Sequence, residues 1–320
     1  MKTQLTNDVE YCAKLLQNGQ NIAIPTETVY GLAGIITNVK ALKRIFSLKQ
    51  RPQNNPLIVH IYELNQLDPL TTHVPKKAKQ LAEVFWPGPL SMVFPKSNLV
   101  NQVISAGLET VAVRMPNHSL TLALLKAVGT PIAAPSANPF TRISPTQAQH
   151  VLTYFNQKIP AILDGGSCQV GLESTIVGFD QEQPIIYRKG GISQESIEEI
   201  IGPVQVAKSD SAIKSPGMHL KHYSPTTRLI LTEDIAAEIE QQSFHHQKIG
   251  VISFSNCNYE KAEVVKVLSK TANLTEAAQQ LYQTLHELDQ LQLDLIITKF
   301  LPNHGLGASI NDRLQRAKFQ

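Results

Sequence analysis

The sequence predicts an α/β protein in two parts, and three observations carry that prediction. Short runs rich in β-branched residues alternate with helix-period segments along nearly all of the chain. Its 320 residues suit two domains at roughly 150 residues each. The texture breaks once, near Pro203, where Ser, Pro, Gly and basic side chains mix without periodicity.

Taken in order, residues 6–19 show an amphipathic helical pattern that ends at Gly19, and 21–24 form a strand stopped by Pro25. Further strands are predicted at 57–61, 111–115, 132–134, 161–163, 175–177 and 184–187. Helical periodicity covers 39–48, 76–85 and 119–128. Ser144-Pro145-Thr146-Gln147 puts serine, proline and glutamine where an N-cap, a first helical residue and a capping-box partner belong, so a helix is expected to start there. Residues 204–227 read as a linker. Beyond it, strands at 229–231, 249–254, 264–267 and 293–298 alternate with helices at 274–291 and 308–317, a small parallel-sheet unit. The expected division is 1–203, 204–227 and 228–320, with no internal repeats.

Composition removes several function classes. Apolar residues make up 42% of the chain and charged residues only 17%, against roughly 25% in an average domain, which excludes a disordered tail protein and a coiled coil. Lys and Arg number 29 against 26 acidic residues, so any handling of phosphate must rest on a few local cations. Cys12, Cys168 and Cys257 form no C-x-x-C pair, so a zinc knuckle or redox dithiol is not expected and a reducing compartment fits. No apolar run approaches the roughly 18 residues of a membrane span, and charge interrupts the N-terminus, so a cytoplasmic protein without a leader is expected.

Unusual polar residues cluster just after predicted strands: Pro25–Gly31, His60, Arg114-Met115-Pro116, Pro135-Ser136-Ala137-Asn138 and Arg188. In open α/β sheets ligands sit outside the carboxyl ends of strands. Lys49-Gln50-Arg51 can converge an ammonium and a guanidinium on a polyphosphate if the helix ends between them; otherwise it is a solvated helix end. Ser136 and Asn138 can bond phosphate or ribose, or simply close a turn. Arg114 ends an apolar strand as a carboxylate fork or as the partner of a structural acid. His60 is a ligand contact, a base or a satisfied core histidine. Ser144 at a helix N-terminus would also stand at an anion site.

Motifs of other chemistries are missing. There is no G-x-x-x-x-G-K-[ST], no G-x-G-x-x-G opening a helix and no G-x-S-x-G elbow. His245-His246 and His219-x-x-His222 lack further ligands, so no protein-held metal is expected.

With these segments in hand, the chain resembles the threonylcarbamoyl-AMP synthase family in its long two-domain Sua5 form. The family's K-x-R and S-x-N signature stands as Lys49, Arg51, Ser136 and Asn138. Matching blocks include Pro25–Gly31, Asn55-Pro56-Leu57, Phe85-Trp86-Pro87-Gly88-Pro89-Leu90, Val113-Arg114-Met115-Pro116 and Glu173-Ser174-Thr175. Later come Ser215-Pro216-Gly217-Met218, His222-Tyr223-Ser224-Pro225, Gly305-Leu306-Gly307 and Asp312-Arg313-Leu314. One departure is Lys189, where the family usually has proline after the strand-end arginine. Hydrogenase-maturation enzymes embed a similar domain but add zinc-finger cysteine pairs and an acylphosphatase domain, neither of which this chain shows. A plain RNA-binding module is disfavoured by the balanced charge and the lack of aromatic–basic interleaving.

The resemblance implies a YrdC-like twisted open mixed sheet with helices, followed by a smaller Rossmann-like parallel domain. It implies that L-threonine, bicarbonate or CO2, and ATP give threonylcarbamoyl-AMP and pyrophosphate, for modification of adenosine 37 in tRNAs reading codons that start with A. Mg2+ is expected to accompany ATP. Lys49 and Arg51 are expected on the triphosphate, with Asn55, Thr110, Ser136, Asn138, Ser144, Arg188 and Tyr223 lining the nucleotide site. Arg114 is expected to fork the threonine carboxylate, with Thr28, His60, Ser174 and the backbone of Ala134 around it. Residues 215–225 are expected to act as a lid. Transient contact with a separate transfer complex is expected, with weak tRNA binding or none.

Overall fold

The computed structural model describes residues 2–207, 222–243 and 248–318. An 11-stranded mixed sheet is built from β1 (Gln4–Thr6), β2 (Ile22–Ile24), β3 (Gly31–Ile35), β4 (Ile58–His60), β5 (Leu90–Pro95), β6 (Thr110–Arg114), β7 (Ile132–Ala133), β8 (Ala161–Leu163), β9 (Thr175–Asp180), β10 (Gln183–Arg188) and β11 (Gln205–Val206). Their spatial order is β1-β8-β2-β3-β7-β4-β6-β5-β9-β10-β11. A second sheet of four parallel strands holds β12 (Arg228–Leu231), β13 (Ile249–Ser253), β14 (Val264–Val267) and β15 (Leu295–Thr298), in the order β12-β15-β13-β14.

Periodicity places several helices well. The helices Lys76–Phe85 and Ser119–Val128 fall on the expected residues. Val39–Lys49 begins where the Asn38 side chain accepts from the Ala41 N–H, and it buries Ala41, Leu42, Ile45 and Phe46 at helical spacing. Its last residue, Lys49, lies on that buried face, and Gln50 then turns left-handed at φ 52°. The helix therefore ends between Lys49 and Arg51, the condition under which the two cations can converge.

Four expectations need correction. The helix near residue 144 starts at Ala148 with Gln147 as its N-cap, so Ser144 caps nothing. Strands β1, β3 and β5 escaped the pattern reading. In β3 two glycines interrupt the β-branched signature, and Gly31 is needed because a Cβ there would sit 3.1 Å from that of Ala134. A helix at Ile235–Ser243 was also not anticipated. Of the expected linker, Gln205–Val206 pairs with β10 as β11, while 208–221, including Ser215–Met218 and Gly217, lie outside the described residues.

In the small sheet successive residues of a strand face opposite layers. Ile249, Val251, Leu295 and Ile297 pack with Ile235 and Ile239, whereas Ile252 and Ile296 face the helices Leu274–Asp289 and Leu306–Ala317. That second cluster continues into the large unit through the loop residues Val29, Ile143 and Leu172, while the large sheet packs in clusters of its own. Polar contacts lock the seam. Asp289 accepts from the Thr226 and Thr227 N–H groups at 3.0 and 2.7 Å and pairs with Arg142 at 3.1 Å, while His150 stacks on His286 at 3.9 Å.

Candidate active site

A partly open cavity of about 50 Å³ lies over the central strands. Of the expected site residues, Thr28, Arg51, His60, Arg114, Ala134, Ser136, Ser174, Arg188 and Tyr223 line it. They do not all come from one row of strand ends. β2 and β7 run against β4, β6 and β10, so His60, Arg114 and Arg188 end strands at one rim while the segments after β2 and β7 arrive from the other. Strands of two or three residues are short enough for both rims to meet over them. The carboxyl-end rule thus holds for part of the site only.

Arg114 partners a structural acid and also lines the cavity. Its Nη2 lies 2.7 Å from Glu27 Oε1, its Nη1 donates to Thr28 Oγ1 at 2.9 Å and its Nε donates to the Gly88 carbonyl at 3.1 Å. The contact with Glu27 is close but poorly aligned, and neither Glu27 oxygen receives a well-directed hydrogen bond. His60 is buried beside it. Burial, and then the Arg114 charge, push its pKa down to about 3, so the ring is neutral at pH 7. One ring nitrogen, Nδ1, lies 3.2 Å from the Ile58 carbonyl.

A second cationic group surrounds the linker end. Arg51 donates to Asn55 O at 3.1 Å, Asn55 Oδ1 at 2.6 Å and Pro56 O at 2.8 Å. Its burial, followed by the nearby Arg188 charge, lowers its pKa to about 9. Arg188 donates through Nε and Nη2 to Ser174 O, at 3.1 and 2.8 Å, and burial lowers its pKa too. Lys49 does not line the cavity. Its Nζ donates to the Ser136 and Asn138 carbonyls, both at 2.5 Å, and burial with the Arg51 charge holds its pKa well below the usual lysine value.

Asn138, Asn55, Thr110 and Ser144 also stand off the cavity wall. Asn138 Nδ2 donates to Pro139 O and Arg142 O, at 3.0 and 2.8 Å, leaving its buried Oδ1 without a partner. Asn55 Nδ2 is likewise buried and unpartnered. Thr110 begins β6, four residues before Arg114, and by the register of Ile58 with Ala112 it lies toward Asn55. Ser144 donates to Glu173 Oε1 at 2.6 Å.

Glu173 is the acid that sequence reasoning passed over. It lines the cavity and accepts from Ser144, from the Tyr282 hydroxyl at 3.1 and 3.0 Å, and from Arg313 Nε at 2.8 Å. Burial alone would raise its pKa, but the charges of Arg313 and Arg188 hold it below the usual carboxylate value. His222 and Tyr223 close the cavity from the linker side. Tyr223 is 1% exposed at φ 64°, a left-handed backbone that costs a non-glycine residue about 1–3 kcal/mol. Its ring lies 4.8 Å under the Arg313 guanidinium. Among the described residues no group of three or more His, Cys, Asp or Glu is placed to hold a metal, and no helix is long and apolar enough to cross a membrane.

Buried cations in such excess over acids make a site for anions. Two family models match the chain in tandem. One, described as Telomere recombination, spans residues 14–190, and one described as Threonylcarbamoyl-AMP synthase, C-terminal domain, spans 192–318. A Threonylcarbamoyl-AMP synthase of Bacillus subtilis is 41% identical over 98% of this chain and 94% of its own length. Among solved structures, that of P. abyssi Sua5 complexed with L-threonine matches with a TM-score of 0.92 at 38% identity, covering 97% of this chain and 94% of that one. E. coli YciO, 20% identical with a TM-score of 0.53 over 59% of this chain, shares the fold. From the order of its motifs, both family models and relatives of this identity over nearly its full length, the chain belongs to the threonylcarbamoyl-AMP synthase family.

Proposed function

We propose that this protein is a nucleotidyltransferase that joins L-threonine, bicarbonate or CO2, and ATP into threonylcarbamoyl-AMP with release of pyrophosphate. The product would serve threonylcarbamoylation of adenosine 37 in tRNAs reading codons that begin with A. The observation that carries this reading is the set of buried guanidiniums on one cavity: Arg114 beside Thr28 and the neutral His60, and Arg51 within reach of the Arg188 charge. An amino acid carboxylate suits the first and a polyphosphate the second. The names of the full-length relatives support it.

The chemistry needs no covalent enzyme intermediate. The neutral threonine amine attacks CO2, forming a C–N bond and giving up one proton. A carbamate oxygen then attacks the α-phosphorus, and the bond from that phosphorus to the bridging oxygen breaks as pyrophosphate leaves. The protein's part is to hold two mutually repelling anions together and neutralise the leaving group. Glu173, which lines the cavity, and Glu27, beside Arg114, both face arginines. Mg2+ is therefore assigned to the substrate, bridging phosphate oxygens of Mg·ATP. The unpaired cysteines suit the cytoplasm, and delivery to tRNA falls to a separate transfer complex, with little direct tRNA affinity. Pyrophosphate release from Mg·ATP that requires both L-threonine and bicarbonate supports the reading; release unchanged without threonine sinks it.

Two further results are expected. Lys49 is buried with its charged form disfavoured, and a polyphosphate nearby would favour that form, so nucleotide binding should take up a proton. Its pKa rises on binding, so ATP affinity should fall as pH increases between the lowered free value and the raised bound value. Calorimetric ATP titrations should show apparent enthalpy increasing with buffer ionisation enthalpy, and Lys49→Met should abolish that slope. A flat wild-type response contradicts the assignment. Tyr223 lines the cavity from the linker side, and its role in this reading is to shield a readily hydrolysed mixed anhydride. Tyr223→Ala should weaken ATP binding and lower the product recovered per pyrophosphate released. Wild-type values for both quantities would end the lid role.

A further inference from the structure

The sequence marked Asp312-Arg313-Leu314, and the reaction just described gives that block no task. Arg313 comes from the last helix of the small domain and is 1% exposed, among the largest fully buried side chains among the described residues. Each part of its guanidinium is committed. Nε donates to Glu173 Oε2 at 2.8 Å, Nη1 to Asp312 Oδ2 at 2.7 Å and Nη2 to the Lys189 carbonyl at 2.8 Å. One side chain thus joins the segment carrying Ser174 to the residue that follows Arg188. The same two segments pack without slack. Gly191 N–H donates to Glu173 O at 2.9 Å, and a Cβ on Gly190 would fall 2.3 Å from that same oxygen. From the small domain, Ser309 Oγ also donates to the Gly190 carbonyl at 2.8 Å.

Charge gives this arrangement a purpose. Glu173 is the acid that lines the cavity beside the Arg51–Arg188 group, and its charge reaches Arg188 and Lys49. A buried carboxylate takes whatever cation is nearest, because leaving it unpaired is costly. Arg313 and Tyr282 occupy its oxygens, while Arg188, whose charge it also feels, donates to the Ser174 carbonyl. With Arg313 removed, Arg188 would be the adjoining buried guanidinium, and pairing would cancel a charge the nucleotide needs.

Resting on the proposed reaction, we propose that Arg313 is a positioning residue of the active site: it occupies Glu173 from the second domain and so keeps Arg188 for the polyphosphate. The small domain is then an electrostatic part of the nucleotide site.

The test is a double-mutant cycle on the full-length protein, read by calorimetric ATP affinity and by the KM values for ATP and L-threonine. Arg313→Met should weaken ATP binding and raise its KM by roughly tenfold, with the threonine KM moving by less than about threefold. Adding Glu173→Gln removes the competing charge and should restore ATP affinity to within about threefold of the wild type, a rescue that mere loss of packing would not give. Arg313→Lys, which retains the charge, should bind ATP nearly as the wild type does and guards against a misfolded methionine variant. A double variant as weak as Arg313→Met, or equal rises in both KM values, overturns the proposal. ATP calorimetry reports on Arg313 even if threonine-dependent turnover were to fail in the wild type, so the two claims stand or fall separately.

Discussion

Arg51→Ala should lower kcat/KM for ATP by about 10²–10³-fold, the scale on which removing one preorganised charged donor from a transition state is felt. Arg51 lines the cavity, lies close enough to Arg188 to feel its charge, and has the planar fork that phosphate oxygens prefer. Its pKa of about 9 expresses that stress: the site holds the guanidinium away from water and beside a like charge, which a polyphosphate would relieve. Arg51 also binds Asn55 and Pro56, so the alanine variant should lose about 1–3 kcal/mol of stability through stranded acceptors. Arg51→Lys separates these effects, since it keeps the charge but cannot serve both carbonyls and the phosphates. The assignment fails if Arg51→Ala, shown to be folded by its melting transition, retains wild-type kcat/KM for ATP.

Arg114→Met should raise the KM for L-threonine at least tenfold while that for ATP moves by less than about threefold. The guanidinium meets Thr28, Gly88 and Glu27. Glu27 complicates the variant, because breaking a buried ion pair from one side costs about 3–5 kcal/mol. The variant Glu27→Gln with Arg114→Met removes both charges and should recover stability but not threonine affinity. Equal effects of Arg114→Met on both KM values refute the carboxylate-fork role.

What the sequence disclosed follows the range of the interactions involved. Lys76–Phe85 and Ser119–Val128 were legible because helical periodicity is written within a few turns. Lys49 and Arg51 were legible as a pair, but not that Lys49 faces the carbonyls of Ser136 and Asn138, 87 and 89 residues away. Ser144 looked like a cap because Pro145 and Gln147 follow it. Its actual partner, Glu173, is 29 residues on, and local patterns cannot report it. Arg313 reaches Glu173 across 140 residues and a domain boundary, and only its occurrence in a family block hinted at a role. Glu27 sat in plain view inside Pro25–Gly31, but its meaning depends on Arg114. The carboxyl-end rule misled in part because β7, two residues long, reverses the strand direction in mid-sheet.

The most direct measurement follows atoms rather than rates. The full-length protein is incubated with Mg·ATP, 13C-bicarbonate and 15N-L-threonine, and the nucleotide products are weighed by mass spectrometry. The account predicts an adenylate carrying both labels, formed with one pyrophosphate per molecule and absent when threonine is omitted. ADP with inorganic phosphate, or an adenylate of threonine without the labelled carbon, would contradict it.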